Sequence, residues 1–140
     1  MSQTFAFGGR KMKQNLRIAI LEDSTKLAES LRNAIRNSLV AYIQLFFSGE
    51  DLLKELASGR RFDIYILDYQ LDRYHRKLWG DEVAEKILAF SPKAKIIGVS
   101  SASYEEIFTQ IGAHFLVKAS VNKNILRTIR ELLSQKSGKK

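Results

Sequence analysis

Two hydrophobic periods alternate along the chain. Leu16-Arg17-Ile18-Ala19-Ile20-Leu21 is a short apolar run of the kind a parallel sheet buries on both faces. Ser24 is a natural N-cap, and Leu27, Leu31, Ala34 and Ile35 follow at helical spacing. Val40 to Phe47 is β-branched and aromatic and predicts a second strand, which Ser48-Gly49 ends. Leu52, Leu53 and Leu56 mark one face of a short helix that stops near Gly59. Phe62 to Leu67 predicts a third strand with Asp68 at its end, then a polar, basic loop from Tyr69 to Trp79. Gly80 to Phe90 reads as helix, stopped by Pro92. Ala94 to Val99 predicts a fourth strand ending at Ser100, Tyr104 to Ile111 a short helix, and Ala113 to Val117 a fifth strand ending at Lys118. Ile125, Ile129, Leu132 and Leu133 define the last helix.

Strands that alternate with helices imply βαβ units and a parallel sheet covered on both faces. Five such strands fit an α/β, flavodoxin-like, doubly wound fold with strand order 2-1-3-4-5. Ligands of such sheets bind beyond the carboxyl ends of the strands.

Length and composition narrow the function. The 140 residues fit one domain, and 45% hydrophobic with 27% charged residues is an ordinary globular balance. Cysteine is absent, which excludes disulfides, thiolate metal sites and cysteine nucleophiles. His75 and His114 are the only histidines, too few for a histidine-rich metal site. No apolar run is long enough to span a bilayer, and residues 1–15 lack the apolar core of a signal peptide, so a cytoplasmic protein is expected. The net charge of +8 sits on the ends. Arg10, Lys11, Lys13, Lys136, Lys139 and Lys140 have no acidic neighbours in their segments, whereas residues 16–135 hold 17 basic and 15 acidic side chains. The expected organisation is a flexible basic tail over 1–15, a domain over 16–135 and a basic tail over 136–140. The tails lack interleaved aromatics, so neither nucleic acid nor membrane is an expected partner.

The strand ends carry the chemistry. Glu22-Asp23 ends the first strand, Asp68 the third, Ser100 the fourth and Lys118 the fifth. Each alone has an ordinary use: an acid at a strand end is commonly a turn residue or cap. Together they put three carboxylates, a hydroxyl and an ammonium on one edge of the sheet. Carboxylates so gathered repel one another, and a hard divalent cation such as Mg²⁺ relieves the repulsion while leaving positions open for phosphoryl oxygens. A carboxylate there can act as a nucleophile and form an acyl phosphate. A flavin or nucleotide site would need a Gly- or Ser/Thr-rich first loop, whereas this one is the acidic Glu22-Asp23-Ser24.

The segments ILEDS (20–24), FDIYILDYQL (62–71), IIGVSSAS (96–103) and GAHFLVKAS (112–120) resemble, in order and spacing, the receiver domain of bacterial two-component response regulators. The resemblance spans about residues 16–133. It implies that Asp68 is the phosphoacceptor, served by a histidine kinase or phosphotransfer protein. Glu22, Asp23, Asp68 and the backbone carbonyl of Gln70 would hold Mg²⁺. Lys118 and Ser100 would contact the phosphoryl oxygens, and Phe115 would follow the Ser100 hydroxyl as the switch aromatic. The output face, formed by the fourth helix, fifth strand and fifth helix, would act on a downstream protein or on an output domain of a longer chain. Such a domain receives phosphoryl groups and is not a dedicated enzyme.

Two features depart from the pattern. Leu71-Asp72 stands where the family carries Met-Pro, in a loop a few residues longer than usual. Ala119 stands where the family carries a cis proline. A cis bond before a non-proline costs about 2.5–4 kcal/mol, so Lys118–Ala119 is expected trans, with Lys118 less well placed. Within the long loop, His75 reads as surface and Trp79 as an anchor against the body or a partner contact. The alternative function is a phosphorylation-independent interaction module that works through loop 69–80.

Overall fold

The computed structural model describes residues 6–7, 10–11, 16–69 and 79–134. Five strands form one parallel sheet: β1 (Leu16–Leu21), β2 (Ala41–Phe46), β3 (Ile64–Asp68), β4 (Lys95–Ser100) and β5 (His114–Val117). Their spatial order is β2-β1-β3-β4-β5, the expected 2-1-3-4-5. Five helices cover it: α1 (Thr25–Arg36), α2 (Gly49–Ala57), α3 (Gly80–Phe90), α4 (Glu105–Gln110) and α5 (Val121–Ser134). Ahead of the sheet, Ala6–Phe7 pairs antiparallel with Arg10–Lys11 inside the predicted N-terminal tail. The predicted C-terminal tail lies outside the described residues, as do Gln70, Leu71-Asp72 and His75.

Side-chain alternation along each strand builds two cores. Ile18, Ile20, Ile64, Ile66, Ile97 and Val99 meet Leu31 and Ile35 of α1 and Ile125, Ile129 and Leu132 of α5. The residues between them, Ala19, Leu21, Tyr65 and Leu67, meet Leu52 and Leu56 of α2 and Val83, Ala84 and Ile87 of α3. Strands covered on both faces have no polar face, which is why their sequences read as continuous apolar runs. The predicted caps form: Ser24 Oγ accepts from Leu27 N at 3.2 Å, and Ser48 Oγ from Asp51 N at 3.2 Å.

The strand boundaries shift from those the apolar runs suggest. Val40 and Phe47 fall outside β2 and are exposed, because that strand lies at the sheet edge and its end residues meet water. β3 starts at Ile64 and runs on through Asp68, which pairs with Val99, and β4 runs on through Ser100, which pairs with Val117. Ladder bonds use only the backbone, so polar residues close these strands as readily as apolar ones. The helix expected from Tyr104 splits into a 3-10 turn over Ala102–Tyr104 and the short α4.

Candidate functional site

β1 and β3 lie side by side, so their carboxyl ends bring Glu22 and Asp68 together. Glu22 N donates to Phe46 O at 3.0 Å, which carries the β1 ladder to the edge before the chain turns into α1. Glu22 Oε2 then accepts from Ser24 N at 3.1 Å, and its other oxygen faces the next strand ends. One ligand atom each from Glu22, Asp23 and Asp68 lies within 4.8 Å of the others.

Lys118 enters from the end of β5. Its Nζ stands 3.1 Å from Asp68 Oδ1 and 3.1 Å from Glu22 Oε1, bridging both carboxylates. No described peptide bond is cis, as expected for Lys118–Ala119. The expectation that Lys118 would be less well placed is overturned: the 3-10 turn over Lys118–Ser120 carries the chain into α5 while the ammonium reaches the pocket. The Asp68 side chain is 3% exposed, and its Oδ2 has no hydrogen-bond partner among the described residues.

Burial pushes the Asp68 carboxyl up to about 7, the Glu22 charge pushes the same way, and Lys118 only partly opposes them. Glu22 is also raised by burial, against the pull of Lys118 and the Ser24 N–H. Burial disfavours the Lys118 ammonium, but the charges of Asp68 and Glu22 outweigh it and raise its pKa. Three carboxylates against one ammonium, with a buried acceptor oxygen left over, suit a small hard cation with oxygen ligands. Glu22, Asp23 and Asp68 could hold it, and the proposed fourth donor, the Gln70 carbonyl, lies outside the described residues.

Ser100 is buried and stands one residue beyond Val99, the ladder partner of Asp68. Phe115 is partly buried, with its ring 6.0 Å from that of Phe108. A cavity of about 410 Å³ opens between α1 and α5 and reaches the site, lined by Leu27, Leu31 and Val121 as well as Asp68 and Lys118. Trp79 lies against Tyr69, with ring centroids 5.0 Å apart.

Residue patterning alone did not single out Tyr69, Gly80 or Tyr104. Tyr69 follows Asp68 and its ring stacks on Tyr104 at 4.3 Å. Gly80 N donates to Tyr69 O at 2.9 Å, and a Cβ on Gly80 would lie 2.3 Å from the Asp68 carbonyl oxygen. An aromatic directly after the site acid, a second four residues past Ser100, and a glycine opening the next helix were the only signals available.

Residues 18–130 match the response regulator receiver domain. The chain belongs to this family. Solved structures agree in fold. A CheY-like receiver domain protein from Methanospirillum hungatei is 21% identical with a TM-score of 0.75, over 86% of this chain and 95% of that one. CheY4 of Vibrio cholerae is 17% identical with a TM-score of 0.71, over 84% and 98%. The BeF3-activated receiver domain of DrrB, from Thermotoga maritima, is 19% identical with a TM-score of 0.72, over 86% and 99%. No curated protein sequence matches the chain. Among the described residues, no helix of this receiver is long and apolar enough to cross a membrane.

Proposed function

We propose that this receiver accepts a phosphoryl group on Asp68 from a phosphohistidine of a kinase or phosphotransfer protein, in a Mg²⁺-dependent step in the cytoplasm. The observation that carries the reading is Lys118 Nζ bridging Asp68 and Glu22 while Asp68 Oδ2 stays buried without a partner among the described residues. An Asp68 oxygen attacks phosphorus, the P–N bond of the donor breaks, and its electron pair returns to the imidazole. The product is an acyl phosphate. Lys118 holds Asp68 in place and meets the charge that develops on the phosphoryl oxygens. Glu22 and Asp23 complete the cation site, where a bound Mg²⁺ neutralises the carboxylates and the incoming phosphoryl charge. Ser100 closes on the phosphoryl group, and Phe115 turns into the space it leaves. The face of α4, β5 and α5 then changes its affinity for a downstream protein or an output domain. The domain is a signalling switch and not a dedicated enzyme.

Incubation with Mg²⁺ and a small-molecule phosphodonor, read by intact mass, tests the assignment. One phosphoryl group is expected on the wild-type protein, none without Mg²⁺ and none on Asp68→Asn. Equal labelling of Asp68→Asn would remove Asp68 from the role.

A further inference from the structure

Directly after Asp68 in the chain stands a cluster of aromatic rings. Tyr69, the next residue along the chain, stacks on Tyr104 with centroids 4.3 Å apart and planes 25° from parallel. It also meets Trp79 at 5.0 Å and stands nearly perpendicular to the Phe108 ring at 6.1 Å. The rings come from four places in the chain: the residue after β3, the N-cap of α3, the 3-10 turn before α4, and α4 itself. Phe108 is fully buried and packs the core, whereas Tyr69 and Tyr104 are only partly buried. Their stack therefore lies at the rim, where it can set loop position more than core packing.

Tyr104 belongs to the turn that carries the chain away from Ser100. Its N–H donates to Ser101 O at 3.1 Å, so residues 101–104 form a closed unit directly after Ser100. Holding the ring of Tyr104 against Tyr69 holds that unit against the strand that carries Asp68. The other flank of Tyr69 is also fixed, because its carbonyl accepts from Gly80 N and no side chain fits at Gly80. Tyr69 is thus a fixed platform, and Tyr104 is the contact by which the Ser100 segment rests on it.

We propose that Tyr104 is a positioning residue for the phosphoryl switch: stacked on Tyr69, it keeps the turn after Ser100 beside Asp68 and so sets how well Ser100 engages a phosphoryl group there. This rests on the phosphoacceptor reading of Asp68. An aromatic pair is a weak contact, so its loss should loosen engagement of the phosphoryl group by about two- to tenfold and leave the cation site intact.

The test titrates beryllium fluoride, a phosphoryl mimic, into the full chain with Mg²⁺ present, following Trp79, the only tryptophan. Mg²⁺ affinity is measured separately by calorimetry. Tyr104→Phe, which keeps the ring, should match the wild type. Tyr104→Ala and Tyr104→Leu should both bind beryllium fluoride about two- to tenfold more weakly while their Mg²⁺ affinity stays within about twofold. Wild-type-like binding by Tyr104→Leu would show that apolar bulk suffices and would overturn the stack. A parallel fall in Mg²⁺ affinity would mean general damage and would overturn positioning. Failure of the wild type itself to bind beryllium fluoride would instead sink the phosphoacceptor reading.

Discussion

Asp68 is buried beside a second acid, and the cost of that placement is measurable. Its carboxyl titrates near 7 in the fold against 3.8 for the free group. A raised folded value means that the native state holds a proton which the unfolded chain has already lost. The stabilising contribution is complete below about pH 4 and is lost as pH rises through about 7. Asp68→Asn removes the charge and keeps the shape. In the presence of a chelator, the variant should gain stability over the wild type as pH rises from about 4, reaching about 2–4 kcal/mol above pH 7. Urea unfolding at several pH values reads this directly, and a pH-independent difference would refute it. Much of this site was legible in the residues, because a parallel sheet sends all its carboxyl ends to one edge, and Glu22, Asp23, Asp68, Ser100 and Lys118 all stand at such ends. The reach of Lys118 was not legible. Without a proline after it the ammonium is expected to be less well placed, yet a 3-10 turn delivers it to within 3.1 Å of both acids.

At the scale of elements, the apolar periods located every strand and helix of the sheet layers and the full extents of β1 and α3, but β2, β3 and β4 end at other residues than their apolar runs. Asp68 and Ser100 close β3 and β4 through backbone bonds that hydropathy does not record. The short α4 shows a second limit. It has six residues, and it is placed by Phe108, which lies flat on Gly98 of β4. A Cβ on Gly98 would stand 2.3 Å from Phe108 Cγ. Glycine inside a buried strand normally weakens it, and here it admits a ring against the backbone. Gly98→Ala should therefore destabilise the fold by about 1–3 kcal/mol through overpacking. Adding Phe108→Leu should cost less than the sum of the two single changes, since the smaller side chain vacates the space the new methyl needs. Additive losses in a double-mutant cycle of denaturant midpoints would mean that the ring does not seat on Gly98.

Across the whole molecule, the acidic edge is a local fault that a ligand can repair. The sheet and both cores hold Glu22 and Asp68 in place whether or not their charges are balanced, so binding energy at that edge appears as folding stability. A cation in hundredfold excess over its dissociation constant adds about 2.7 kcal/mol. The size of the effect should depend on pH, because Asp68 holds a proton below about 7 and a cation must displace it. Melting curves with saturating Mg²⁺ and with a chelator should therefore diverge as pH rises from about 6 to about 8. In Asp68→Asn the gap should be smaller and nearly flat over the same range, since Asp23 and Glu22 remain but the titrating ligand is gone. A wild-type gap that does not widen with pH would place the cation away from Asp68. A gap of equal size in Asp68→Asn would give Asp68 no part in binding it.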